Sequence, residues 1–106
     1  MPHEPISIYV VDGDSWALET HTAVLSAAGY TTFPCNSAEQ FLKLFDIESK
    51  ACVVMELRLP GMSGSELQDY LVSSGLDIPI VILTAHGDVP LAVKTLRAGA
   101  VDFIEK

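Results

Sequence analysis

The most constraining feature of this chain is an alternation. Short, continuous apolar runs take turns with segments whose apolar residues recur at helical spacing. Ile6–Val11 (ISIYVV) is β-branched and aromatic and predicts a buried strand. Asp14 then stands where it can cap a helix to about Ala28, with Leu18, His21, Leu25 and Ala28 on one face and Gly29 as its stop. Tyr30–Phe33 reads as a second strand ended by Pro34. Asn36 with Glu39 three residues on predicts a capping box ahead of Phe41, Leu42, Leu44 and Phe45. Ala51–Leu57 (ACVVMEL) is apolar on both faces until Glu56, as in the centre of a parallel sheet. Ser63 and Glu66 form a second predicted box, before a stripe of Leu67, Tyr70 and Leu71. Pro79–Thr84 (PIVILT) is a fourth strand. Asp88 is placed to cap a helix with Pro90 in its first turn and Leu91, Val93 and Leu96 inside, stopped by Gly99. Val101–Ile104 is a fifth strand.

Strand–helix alternation of this kind implies an α/β fold, a doubly wound five-stranded parallel sheet with right-handed crossovers. Its working site lies at the carboxyl ends of the strands, where strand order reverses. The residues to inspect are therefore Asp12-Gly13-Asp14, Glu56, Thr84-Ala85-His86 and Lys106. Two carboxylates, a hydroxyl and a lysine in one cluster suit a hard divalent cation and a phosphoryl group. Taken singly, each has a plain structural use as a cap or a solvated end. Together at strand ends they point to chemistry.

Charge narrows the partners. The 106 residues carry 14 acids against 6 Lys and Arg, a formal −8. Residues 1–78 hold all of that excess and residues 79–106 are balanced. No basic face is left to neutralise phosphates, so direct nucleic-acid binding and attraction to an anionic membrane are excluded as functions of this chain. Half of the residues are hydrophobic (49%), which argues against disorder. Cys35 and Cys52 do not form the close pairs of a zinc site, and Cys52 is expected to be a small buried hydrophobe rather than half of a disulfide. The N-terminus has no signal-peptide pattern and no apolar run reaches a membrane span, so a cytoplasmic location is expected. His3, His21, His86, Trp16, Met55 and Met62 need no more than packing or solvated-loop roles.

The segments VVMELRLPGMSG (53–64) and ILTAHGDVPLAVKTLRAGAVDFIEK (82–106) resemble the receiver domain of two-component response regulators, in particular the NarL/FixJ-type branch. The likeness runs from Ile6 to Lys106. It implies a flavodoxin-like (CheY-like) sheet and a signalling role in a phosphorelay, the output being attached or a partner and concerned with transcription. The expected partners are a histidine kinase or other signalling protein and a second copy through the face of the fourth helix and fifth strand. The resemblance makes Glu56 the phosphoacceptor position and gives Thr84 and Lys106 the part of stabilising the phosphorylated form. Thr84 and Phe103 become the switch pair. Asp12, Glu56 and the backbone carbonyl of Arg58 would be the Mg²⁺ ligands.

Two positions depart from the family pattern. Gly13 stands where the second acid is usual, and Glu56 stands where aspartate is usual. Asp14, one residue on, is the candidate to compensate through water. An added methylene moves the acceptor carboxylate by about 1 Å or more, and misplacement of that size costs about 10²-fold. The expectation is a degenerate pseudo-receiver, not an enzyme, with weakened Mg²⁺ binding and phosphotransfer weak, absent or mimicked. As a phosphomimic Glu56 supplies one unit of charge, against about 1.5–2 for a phosphoryl group. The alternative is a working Mg²⁺-dependent acceptor, with Glu56 as an engineered mimic of an active parent. A flavin binder is disfavoured, because Asp12 and Asp14 would repel the phosphate. Receivers end in a fifth helix, whereas this sequence stops at Lys106. A receiver over 1–106 lacking that helix should expose an apolar strip beside the first strand.

Overall fold

The computed structural model describes residues 6–84 and 88–105, and within them the alternation becomes nine elements. They are β1 (Ser7–Val11), α1 (Ser15–Ala27), β2 (Thr31–Cys35), α2 (Ala38–Leu44), β3 (Ala51–Glu56), α3 (Gly64–Ser73), β4 (Ile80–Thr84), α4 (Val89–Arg97) and β5 (Asp102–Glu105). All strands are parallel, in the order β2-β1-β3-β4-β5. The chain first winds outward from β1 to β2 and then returns past β1 to β3. That reversal between β1 and β3 is the switch point.

Side-chain alternation divides the sheet into two faces. Tyr9, Val11, Val53, Met55, Ile80 and Ile82 join Ala38 and Phe41 of α2, Leu67 and Leu71 of α3 and Ala92 of α4 in one buried core. An aromatic cluster closes its β1 end. Tyr9 stacks on Phe33 at 5.0 Å between ring centroids and meets Phe41 edge-on at 5.2 Å. The other face carries α1. There β1 is covered, and the open apolar strip falls instead over β3, β4 and β5. It is a groove of about 330 Å³ bounded by His21, Leu25, Val54, Val81, Leu83 and Ile104. The strip expected beside the first strand is therefore displaced by one to three strands, because α1 packs on β1 and β2.

Several local expectations change for identifiable reasons. Pro34 does not end β2; it sits inside the strand, in register with Val10. An edge strand tolerates a proline because one side of its ladder is unpaired. The helix after β2 is capped by Ser37, not Asn36. Ser37 Oγ accepts from the Gln40 amide at 3.0 Å, and the Gln40 side chain accepts from the Asn36 amide at 2.6 Å. Glu39 is thereby free for a distant partner. Tyr70 is half exposed, while Gln68 is buried and donates from Nε2 to the Thr95 carbonyl at 3.0 Å, tying α3 to α4. β5 begins one residue later than expected, at Asp102, although the Val101 amide already donates to the Ile80 carbonyl of β4 at 2.8 Å. The Ser63–Glu66 box forms as predicted, as does the Asp14 cap.

Cys35 is buried and Cys52 half-buried, and both are free thiols. Burial pushes the Cys35 thiol up to about 11, which disfavours the thiolate at neutral pH.

The start of α3 bears directly on the site. The Gly64 amide donates to the Leu57 carbonyl at 2.9 Å, and a Cβ there would lie 2.7 Å from the Glu56 carbonyl oxygen and 2.9 Å from Leu57 Cα. Backbone on both sides of the contact leaves nothing flexible to yield. Gly64→Ala is expected to destabilise the protein by about 1–3 kcal/mol, the usual range for overpacking. Urea denaturation with an unchanged midpoint would contradict this close approach.

Candidate functional site

Parallel pairing brings the predicted residues to one end of the sheet. Val11 pairs with Met55, Glu56 with Leu83, and Thr84 with Glu105. Asp12 follows the last residue of β1, Glu56 ends β3 and Thr84 ends β4, so three consecutive strands present them side by side. All three are buried. Phe103 lies on β5 in register with Ile82, half-buried against the core. Lys106 and His86, also expected near the site, lie outside the described residues.

Each acid is held by its own neighbourhood. Asp12 Oδ1 accepts from the Asp14 amide at 2.9 Å, and the Asp12 amide donates to the Cys35 carbonyl at 3.0 Å. Asp14 is exposed, and its Oδ1 serves the start of α1, accepting from Trp16 at 3.0 Å and Ala17 at 3.5 Å. Trp16 itself is 73% exposed. Glu56 Oε1 accepts from the amides of Leu57 at 2.9 Å and Arg58 at 3.3 Å. The extra methylene of glutamate lets the carboxylate fold back onto the loop that follows its own strand.

That loop is fixed from three sides. The Pro60 ring rests on bare backbone at Gly13, where a Cβ would lie 2.7 Å from Pro60 Cδ. Glu39 Oε2 reaches from α2 to accept from the Met62 amide at 2.9 Å, which holds the Glu39 carboxyl below the usual carboxylate range. Gly61 beneath it has φ of +72°, a region that favours glycine. The third hold is Arg58, whose Nε and Nη2 donate to the two oxygens of Asp88 at 2.8 and 2.7 Å. Asp88 was expected to cap α4, and it occupies that position, but its side chain makes no cap bond. Sequence reading gave Arg58 only a backbone role and missed this pair. The partners lie 30 residues apart, and only the adjacency of β3 and β4 brings them together.

Mg²⁺ is held through one or two carboxylates with several waters kept. Asp12, Glu56 and the Arg58 carbonyl are suitable in kind. Gly13 adds no carboxylate beside Asp12, and Asp14 Oδ1 is turned to the start of α1. Among the described residues no group of three or more His, Cys, Asp or Glu is placed to hold a metal ion. No helix of the described residues is long and apolar enough to cross a membrane.

The molecule is thus a doubly wound α/β domain with acids at its switch point. Residues 8–106 match the response regulator receiver domain, and the chain belongs to that family. The transcriptional regulatory protein FixJ of Bradyrhizobium diazoefficiens is 40% identical over 99 residues, which are 93% of this chain and 48% of that protein. The response regulator protein TodT of Pseudomonas putida is 37% identical over 99 residues, 93% of this chain and 44% of that protein. A crystal structure of FixJ-N matches with a TM-score of 0.88 at 37% identity, covering 100% of this chain and 83% of that one. These likenesses fit the NarL/FixJ-type branch. The chain spans about half the length of the curated relatives it matches.

The Arg58 guanidinium holds the Asp88 carboxyl below its ordinary value, so Asp88 is more acidic folded than unfolded. A depressed carboxyl stabilises the fold above the unfolded value, roughly pH 4 for aspartate, and that contribution is lost as pH falls through the folded value. Asp88→Ala, which can neither pair with Arg58 nor cap α4, is therefore expected to lower the urea midpoint at pH 7, with the gap narrowing toward the acid end and in high salt. A gap that persists undiminished at low pH would assign the effect to something other than this ion pair.

Proposed function

We propose that this receiver is a signalling module, not an enzyme, in which phosphotransfer is weak and the acceptor position carries a fixed charge. The observation that supports this reading best is Glu56. It stands at the acceptor position that the family resemblance assigns to aspartate, buried, with one oxygen already committed to the Leu57 and Arg58 amides. An acceptor must present its oxygen to an incoming phosphorus atom within a few tenths of an ångström. A longer side chain folded onto its own loop does so poorly.

The roles of the other residues follow the same reading. Asp12, Glu56 and the carbonyl of Arg58 would hold Mg²⁺, more weakly than a site with a second acid beside Asp12. When bound, the ion would neutralise charge on a phosphoryl group. Thr84, Phe103 and Lys106 are the switch and stabilising residues. The partner is a histidine kinase or another signalling protein, and a second copy through α4 and β5 is the further contact. Transcription is the output suggested by FixJ, which is a transcriptional regulatory protein by name and about twice as long as this chain. Nothing in the charge of this chain equips it to bind DNA itself.

Incubation with Mg²⁺ and acetyl phosphate, followed by intact mass, tests the proposal. The parent protein is expected to show no phosphoryl adduct under conditions where Glu56→Asp acquires one, labile to hydroxylamine. A ready, hydroxylamine-labile adduct on the parent would make this a working acceptor and sink the degenerate reading.

A further inference from the structure

Among the described residues four helices begin, and three begin alike. Asp14, Ser37 and Ser63 lie in extended backbone, with ψ of 114°, 162° and 165°, and each side chain accepts from an amide of the first turn. The fourth is different. Asp88 precedes α4 with φ −95° and ψ 10°, and its carboxylate serves none of the first-turn amides. Both of its oxygens are taken by Arg58, at 2.7 and 2.8 Å, from the loop after β3. Aspartate is among the best N-cap residues, so its diversion leaves α4 without a cap that the sequence supplies.

The two uses of this carboxylate exclude one another. Capping requires extended backbone at Asp88, whereas the pairing with Arg58 is made at ψ 10°. Pro90 sharpens the choice. A cap residue serves the amide two or three residues on, and proline at the first of these has no N–H, so the Leu91 amide is the remaining target. Asp88 is 8% exposed and Arg58 74%, so solvent screens this bidentate pair from one side and brings its strength into the range of an N-cap. The Arg58 side chain is 74% exposed, so a modest change in what it contacts can shift the balance.

We propose that Asp88 is a two-position latch. In one position Arg58 clamps it and ties the loop after β3 to the first turn of α4. In the other it rotates to extended backbone, caps Leu91 and changes the direction in which α4 leaves the end of β4. The latch needs no phosphoryl group to exist. Its use in signalling rests on the receiver reading: Arg58 lies two residues beyond Glu56, and an anion at that end of the sheet would compete for its guanidinium.

Amide hydrogen exchange at Leu91, followed by NMR on the whole chain, tests the latch. Asp88→Ala removes both positions and sets the uncapped rate. Arg58→Gln releases Asp88, and Asp88→Ser cannot pair with Arg58 but can cap. Both are expected to slow Leu91 exchange about five-fold relative to Asp88→Ala, the scale of an ordinary N-cap. The parent should resemble Asp88→Ala at low salt and move toward Arg58→Gln as salt weakens the pair. Two outcomes overturn the proposal. If Arg58→Gln exchanges as fast as Asp88→Ala while Asp88→Ser is slowed, released aspartate does not cap. If neither variant is slowed, the start of α4 has no capped state.

Discussion

The register between β1 and β3 is the constraint on which everything else depends. Val11 opposite Met55 sets Asp12 and Glu56 abreast at the carboxyl end of the sheet, and the next pairing adds Thr84. A slip of one residue would turn every inward side chain of β3 outward, so the buried run of Val53 and Met55 enforces the alignment of the acids. The hydrophobic core on one face of the sheet thus fixes the geometry of the polar site at its end.

Around that fixed row, the loop after β3 is the element on which competing demands converge. It carries the two amides that hold Glu56, the proline that rests on Gly13, the glycine covered by Glu39 and the arginine that takes Asp88. The two departures from the family pattern are structurally connected through it. Pro60 sits against the bare backbone of Gly13, and Glu56 folds onto the amides three and two residues before that proline. The −8 charge is likewise tempered locally. Arg58 is one of only three Lys or Arg residues in the first 78, and its guanidinium hydrogen-bonds Asp88 while also lying in the field of Glu56.

What could be read from the sequence was what depends on neighbours along the chain. Strand and helix order, the Asp14 cap and the Ser63–Glu66 box are set by residues within a turn of one another. Asn36 with Glu39 was misread because Glu39 has a better partner 23 residues away at Met62. Asp88 failed as a cap for the same reason, with Arg58 as the distant partner. Pro34 looked like a terminator because its tolerance depends on β2 being an edge, a fact of strand order. Tyr70 and Gln68 exchanged places because burial on α3 follows its docking against α4, where a glutamine amide meets the Thr95 carbonyl. Asp12, Glu56 and Thr84 were legible as a cluster because strand ends in parallel sheets converge whatever the loops do.

On the proposed reading, this switch-point site keeps its row of acids and binds a divalent cation weakly. Titration of Mg²⁺ followed by the NMR amide shifts of Asp12, Glu56 and Arg58 tests this, with the Gly13→Asp, Glu56→Asp, Pro60→Ala protein as reference, the last change removing the ring that a Cβ at residue 13 would meet at 2.7 Å. The parent shifts are expected not to saturate at millimolar Mg²⁺, where those of the reference do. Saturation of the parent at the same concentration as the reference would contradict it.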